Sequence, residues 1–468
     1  MNITLAQIRL KCGDFEFNYN SIKDAVNQSD TDIIVFPSVD IADLGGKDLV
    51  LDEKVRLAQC GLYEKIAAEF INKKIFLGEI FISNGEISIS EDGFYNIDGK
   101  SIYVSGSFES EIDCDIYILA HNRYFTIDTY REFAESIYTE TDFIYVNAVA
   151  MADENIYAGL SFAKNANNEL VFQAPLCETS INRIDFTINA AICEEPAESQ
   201  IMKVTSFALK EYCENTGFKK VVLGLSGGID SALTAVLAVN ALGKDNVLGI
   251  LMPSMFSSEG SVTDALTLAK NLGIETVKEP ITPLFDAFMQ KRERKHDLAE
   301  ENLQARLRAL ILMFYSNREN MLLLSTGNKS EAAMGFGTLY GDLAGGLNLI
   351  CDLTKMNVYK VANYINRNGE IIPQNTIDKA PSAELHPGQK DCDRLPEYAV
   401  LDDIIEMYVE ENKPHEKIYA KYDRSLVDDT IRKIYRAQFK RKQGCTGVRL
   451  TERSFTNGVN LPVAQKFY

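Results

Sequence analysis

Leu225-Ser226-Gly227-Gly228-Ile229-Asp230-Ser231-Ala232 joins an apolar run, Lys220–Leu225 (KVVLGL), to a helical stretch, Asp230–Leu242. Two adjacent glycines let the backbone turn sharply and bring its N–H groups close to an anion. Ser226 and Ser231 add hydroxyl donors, and the helix that follows points its positive end at the same place. No lysine follows the glycines, so this is not a Walker A loop. Asp230 would repel a phosphate directly and makes sense as a Mg²⁺ ligand. Outward from the loop, strands at Val247–Met252 and Met321–Ser325 alternate with helices at Ser261–Leu272 and Glu300–Ser316. Such alternation predicts a doubly wound parallel sheet with its ligand site beyond the carboxyl ends of the strands.

The chain has 468 residues, 48 Lys and Arg, 67 Asp and Glu, and a formal net charge of −19. That balance argues against a protein that coats nucleic acid through overall charge. The charge is uneven: residues 1–190 hold 14 basic and 31 acidic side chains, leaving 34 and 36 for residues 191–468. No stretch approaches the ~20 apolar residues of a membrane helix. The N-terminal stretch MNITLAQIRLKCGDF lacks the apolar core of a secretory signal. Nine scattered cysteines without a CxxC pair argue against structural zinc and read as reduced thiols in a cytoplasmic protein. In the first region Met1–Ile8, Asp32–Phe36, Lys74–Ile82, Ser101–Val104, Ile116–Leu119 and Phe143–Val149 read as strands and Lys54–Phe70 as a helix. The pattern breaks at Ala191–Ser199 (AICEEPAES), which divides the chain into regions 1–190 and 195–468.

The SGGIDS loop resembles the pyrophosphate-binding loop of the N-type ATP pyrophosphatases, which have the adenine nucleotide alpha hydrolase-like fold. By itself it does not choose among NAD, GMP, asparagine or argininosuccinate synthetases and tRNA-modifying enzymes. Downstream, Glu301-Asn302-Leu303-Gln304-Ala305-Arg306-Leu307-Arg308 and Ser325-Thr326-Gly327-Asn328-Lys329-Ser330-Glu331 resemble NAD synthetase segments. So do Tyr340-Gly341-Asp342, Asp352-Leu353-Thr354-Lys355, Lys379-Ala380-Pro381-Ser382-Ala383-Glu384-Leu385, and Leu395-Pro396 with Tyr398 and Leu401-Asp402. The resemblance implies a ligase that adenylates deamido-NAD with ATP and Mg²⁺, then amidates it with ammonia to give NAD, AMP and pyrophosphate. It implies that Gly224, Ser226, Gly227, Gly228, Asp230 and Ser231 hold the ATP phosphates, that Asp230 and Glu331 bind Mg²⁺, and that Thr326, Lys355 and Ser382 contact ATP. Asp230, Glu331 and Lys355 form the implied catalytic set. Arg308 and Lys440 match positions that hold deamido-NAD. Arg306 and Arg308 lie two apart on a helix and cannot share one face; Arg308 is the one expected at the ligand. Cys392 departs from a usual glutamate, Met356 from a usual threonine, and Gly444-Cys445-Thr446 from a proline-rich stretch. A homodimer or larger homo-oligomer is also implied.

Residues 1–190 resemble, in pieces, the nitrilase-type amidase of glutamine-dependent NAD synthetases: Leu5-Ala6-Gln7-Ile8 with Gly13-Asp14, Ile34-Val35-Phe36-Pro37, Tyr145-Val146-Asn147 and Gly159-Leu160-Ser161-Phe162. That amidase needs a Glu–Lys–Cys set. Ser38 stands where the glutamate should follow Phe36-Pro37, and the lysine and cysteine motifs are absent. Cys114 lies among Asp113 and Asp115, carboxylates that raise a thiol pKa, and reads as structural. The expectation is therefore a truncated nitrilase-like α/β sandwich, a pseudoenzyme domain, attached to an enzyme that uses free ammonia. The alternatives are a glutamine-dependent synthetase with an unrecognised or separate glutaminase, another ligase with the same loop, or a non-catalytic nucleotide sensor. Damage to Asp230, Glu331 or Lys355 would mark the sensor, and all three are intact.

Overall fold

The computed structural model describes residues 1–127, 129–190 and 195–467. The chain divides into two compact units, Met1–Val204 and Thr205–Tyr468. The division falls inside the helix Ala197–Thr216. The start of the polar break expected at Ala191–Ser199, residues 191–194, lies outside the described residues. Among the described residues no helix is long and apolar enough to cross a membrane.

The first unit contains two six-stranded sheets. In one, Ile3–Gln7 lies between the antiparallel Ser180–Ile184 and the parallel Ile33–Phe36, followed by Lys74–Leu77, Ile80–Ser83 and Glu86–Ser88. In the other, Ile116–Leu119 runs parallel to both Lys100–Ser105 and Asp142–Tyr145. Side-chain alternation makes each strand two-faced. Ile3, Leu5, Val35 and Phe76 of the first sheet pack on Ile102, Val104, Ile118 and Ile144 of the second. The opposite face of the first sheet, with Ala6, Ile34 and Ile75, buries Ile22 and Ile66 of the helices Phe15–Gln28 and Glu53–Glu69. The outer face of the second sheet buries Tyr117, Phe143 and Phe162 with Ala134 and Ile137. The short span thus still lays down a sandwich with two complete six-stranded sheets.

Two expected strands are each two elements. Lys74–Ile82 breaks into the hairpin strands Lys74–Leu77 and Ile80–Ser83, because Gly78 takes the left-handed backbone with φ +63°. Phe143–Val149 stops at Tyr145 and a new strand starts at Val149. Between them the Asn147 amide donates to the Arg123 and Gly159 carbonyls and accepts from Arg123 N, so side-chain bonds replace the ladder.

In the second unit five parallel strands run in the order Glu275–Lys278, Val247–Leu251, Val221–Gly224, Leu322–Ser325, Leu347–Asn348. The sheet is parallel, as expected from the strand–helix alternation. Val222, Ile250 and Leu323 bury Ile311 of the long helix Leu298–Glu319. The helix Ile229–Leu242 is buried along most of its length, which its apolar composition (IDSALTAVLAVNAL) allows.

Lys329 shows how this unit ties down its last residues. It is 1% exposed, and its ammonium donates to Asp352 Oδ1 at 2.6 Å, Thr451 Oγ1 at 2.8 Å and Glu410. Asp352 Oδ2 in turn accepts from the backbone of Leu450 and Thr451. Removing one partner of a buried ion pair leaves an unneutralised charge, a loss of about 3–5 kcal/mol. Lys329→Met is expected to lower unfolding stability by that amount in a urea titration of the second unit's transition.

Candidate functional site

The carboxyl end of the central strand Val221–Gly224 opens into a cavity of about 550 Å³. Its wall includes Gly224, Ser226, Gly228 and Asp230 from the loop, Thr326 from the turn after Leu322–Ser325 and Glu331 from the helix Lys329–Met334. Lys355, Ser382, Arg308 and Lys440 reach it from elsewhere in the unit. Thus ten of the expected site positions border one space, which is in the size range of small-molecule sites.

The loop is built by glycine geometry. Gly227 has φ +80°, and a Cβ on it would stand 2.2 Å from the Ser261 carbonyl oxygen. Gly228 is the N-cap of Ile229–Leu242, and no side chain caps this helix. The first-turn N–H groups therefore remain for a bound anion. Ser231 is a correction to the expected phosphate set. It is 3% exposed and does not border the cavity; its hydroxyl donates to Gly228 O at 3.0 Å and lies 3.0 Å from Ser226 Oγ. Packed below the loop, it shapes the turn and leaves the anion to others. Gly227 likewise serves through its backbone conformation and does not line the wall.

Lys355 joins the acidic pair. Its Nζ lies 2.5 Å from Asp230 Oδ2 and 3.7 Å from Glu331 Oε1, with the side chain 3% exposed. Thr354 caps its helix, Lys355–Asn366, by accepting from Asn357 N. Burial pushes the Lys355 ammonium down, but Asp230 and Glu331 override it and hold the pKa above the ordinary lysine value. Glu331 is set by a capping box: Asn328 Oδ1 accepts from Glu331 N at 3.0 Å, and Glu331 Oε2 accepts from Asn328 N at 3.3 Å. The Asn328 amide also donates to Asp230 Oδ1 at 3.0 Å. Burial, and then the Asp230 charge, push the Glu331 carboxyl up to about 8. Lys355 balances one of the two acids, and the proton that Glu331 keeps at neutral pH is one a hard divalent cation would displace. Mg²⁺ takes one or two protein carboxylates and completes its shell with water and phosphate oxygens. Among the described residues no cluster of three or more metal-ligating side chains exists, so a cage made of protein alone is not available.

Of the two helical arginines, Arg308 borders the cavity and Arg306 does not. Arg308 donates to Met252 O at 3.1 Å, and burial pushes its guanidinium down to about 10, still charged at neutral pH. Arg306 is exposed and donates to Leu339 O. Lys440 borders the cavity while donating to Gly335 O and Gly337 O at 2.7 Å each. Two of its three protons are thus used on the loop it supports, which leaves one for a ligand.

Residues without an assigned role in the sequence also converge here. Asp391 is 5% exposed; its Oδ2 accepts from the Tyr398 hydroxyl at 2.8 Å, while Oδ1 is buried without a partner. The Tyr398 ring lies 5.3 Å from Lys355 Nζ. Both residues sit in segments whose resemblance was visible, but nothing in the residue types told which atoms would face the lysine.

In the first unit, Ser38 is 5% exposed and donates to Asp43 Oδ2 at 2.5 Å. Its carbonyl accepts from Asn122 Nδ2 at 2.8 Å. The turn after Ile116–Leu119 that meets Ser38 therefore carries Ala120, His121 and Asn122. Cys114 precedes that strand, roughly 20 Å of extended chain away. It is half-buried beside the aromatic cluster, and burial, more than the neighbouring Asp113 and Asp115, pushes its thiol up. Asp113 and Asp115 raise it as well, as expected from the sequence.

Residues 201–444 match the sequence profile of the NAD synthase family. The chain belongs to this family. Among NAD synthase relatives, the glutamine-dependent NAD(+) synthetase of Synechocystis sp. is 42% identical over 339 residues, covering 69% of this chain and 61% of that protein. The glutamine-dependent NAD(+) synthetase of Thermotoga maritima is 40% identical over 370 residues, covering 69% and 64%. The chain thus spans about three fifths of the length of these curated relatives. A glutamine-dependent NAD+ synthetase from Acinetobacter baumannii, solved with ADP, superposes with a TM-score of 0.73 at 26% identity over 99% of this chain and 98% of that one. That alignment includes the first unit, whose α/β sandwich the NAD synthase relative shares.

Proposed function

We propose that the second unit adenylates deamido-NAD with ATP and amidates the product, releasing pyrophosphate and AMP. The observation that carries this reading is the buried Lys355 between Asp230 and Glu331, at the mouth of an uncapped helix. The loop from Gly224 to Asp230 would cradle the ATP phosphates, with Thr326 and Ser382 on the same nucleotide. Asp230 and Glu331 would hold Mg²⁺, which when bound screens the phosphate charge. Lys355 would neutralise the phosphates as the substrate carboxylate oxygen attacks the α-phosphorus and pyrophosphate departs. Arg308 and the remaining proton of Lys440 would hold the dinucleotide. The nitrogen then attacks the acyl carbon and AMP leaves. No acid–base pair is needed for the first step, so positioning and charge account for it.

The relatives' names favour glutamine as the nitrogen source over the expected free ammonia. Under this reading glutamine is hydrolysed by groups other than Ser38 and Cys114, or by a separate glutaminase. Ser38, standing where the amidase set needs a glutamate, favours the second reading, direct use of ammonia. NAD formation by purified protein with glutamine or ammonium as sole nitrogen source separates them. Glutamine-supported rates matching ammonium place hydrolysis in this chain. Ammonium-only rates, restored with glutamine by adding a glutaminase, place it outside. A cytoplasmic homo-oligomer completes the proposal, read by light scattering.

A further inference from the structure

Residues 379–395 form one wall of the cavity and carry Ser382 and Asp391. This strap is fastened to the rest of the unit at several points; at its start the Lys379 ammonium donates to Ser261 Oγ and Asp264 Oδ2 at 3.1 Å each. Glu384, in the left-handed conformation with φ +49°, accepts from Ser258 N at 3.1 Å and from Ser258 Oγ and Ser261 Oγ at 2.8 Å. The Gln304 amide, 1% exposed, donates to Leu385 O at 2.9 Å. Arg394 donates through both terminal nitrogens to Glu301, Nη1 to Oε2 at 2.8 Å and Nη2 to Oε1 at 2.9 Å.

The Arg394 fastening is the bidentate one. Glu301 is 4% exposed on the helix Leu298–Glu319, and among the described residues only Arg394 meets its charge within hydrogen-bond distance; His386 lies 3.8 Å away. A two-bond arginine–carboxylate contact fixes orientation as well as distance. Arg394 closes the single turn Asp391–Asp393, its N–H donating to Asp391 O at 3.0 Å. Asp391 N donates to Pro381 O at 3.0 Å, one residue before Ser382. Arg394, which itself borders the cavity beside Glu301, is therefore linked through two backbone bonds to Asp391 and to Pro381, the neighbour of Ser382.

We infer that Glu301 and Arg394 are a positioning pair that holds the strap against the bound nucleotide, a role that rests on the proposed use of ATP at this site. The pair seats Ser382 and Asp391 and makes no contact with reacting atoms. Its loss weakens nucleotide capture more than turnover.

The test uses the full chain. Arg394 is 44% exposed, so Arg394→Gln and Arg394→Glu are expected to stay folded, with a melting temperature lowered by the Glu301 charge left without its partner. Each is expected to raise KM for ATP about tenfold or more with kcat changed by less than about threefold, the scale of losing one partner of a buried charge pair. Thermolysin cleavage within residues 379–395, read by intact mass, is expected to accelerate in parallel. The exchanged double variant, Glu301→Arg with Arg394→Glu, is expected to return both readouts toward wild type. Single variants with wild-type KM and cleavage overturn the inference. So does a folded double variant no better than Arg394→Glu. If the wild-type protein makes no NAD, the proposed function fails. The dissociation constant for ATP and the cleavage rate still report on the strap in that case.

Discussion

Gly227→Ala is expected to abolish ATP-dependent pyrophosphate release while the chain remains folded. The reason is local and steric. At φ +80° an alanine is already strained by about 1–2 kcal/mol. Its Cβ would also stand 2.2 Å from Ser261 O and 2.8 Å from Ser261 C, both backbone atoms. A backbone segment cannot turn aside as a flexible side chain can. Either the loop flips to negative φ, or the helix Glu259–Leu272 moves away; both undo the turn that aims the Ile229–Leu242 N-terminus at a phosphate. Loss of kcat/KM for ATP by about 10³-fold corresponds to roughly 4 kcal/mol of lost transition-state stabilisation. Gly243→Ala is the matched control. Gly243 has φ +79°, but nothing lies within 4 Å of its Cβ position. Strain alone should lower stability by about 1 kcal/mol and leave ATP turnover intact. Equal behaviour of the two variants, or a Gly227→Ala enzyme with wild-type KM for ATP, would refute the steric account.

The part of the fold that was legible in the sequence is the part that local chemistry determines. The buried strands Val221–Gly224, Val247–Leu251 and Leu322–Ser325 are short apolar runs between turns and helices, and their helices start at Gly228, Ser258 and Asp297. Edge strands carried no such signal. Glu275–Lys278 (ETVK) is half-polar because a sheet edge is half-solvated, and Leu347–Asn348 is two residues long. Phe162–Lys164 and Leu170–Gln173 are strands through their partners more than through their own composition. The same limit applies to the site. The loop context placed Asp230, and the family resemblance Glu331, as acids near phosphates, and the structure joins them through Lys355. Hydroxyl direction was not legible: Ser231 resembles a donor in sequence and turns inward in space. Nor was Lys329, a charged residue in the best-matching segment that neutralises Asp352 and Glu410 in the interior. Pairs such as Glu301 with Arg394 are 93 positions apart, and no spacing rule reaches that far.

Lys355→Ala is expected to lower the rate of pyrophosphate release by about 10²–10³-fold at saturating ATP, the range for losing one preorganised charged donor. The loss should fall on kcat more than on KM, because the ammonium is aimed at charge that develops during phosphoryl transfer and the loop N–H groups remain to bind the ground state. The variant also tests the electrostatics of the cluster. With the lysine present, the Glu331 carboxyl is already pushed up to about 8 by burial and by Asp230, against the opposing pull of Lys355. Without Lys355 that pull is gone, so the folded-state value rises further above the ordinary glutamate value of ~4.3. The sign follows directly. A carboxyl with a raised folded pKa binds more protons folded than unfolded, so stability falls as pH rises between the two values. Between about pH 5 and 8 both proteins should lose stability with the same slope; above about pH 8 the wild type levels off and Lys355→Ala should melt progressively earlier relative to it. Lys355→Ala combined with Glu331→Gln removes the titrating group and should flatten that slope without restoring turnover. A single variant with a wild-type melting profile across this range would mean that Lys355 does not neutralise the buried pair. A near-normal kcat would mean that it does not serve the transferring phosphate.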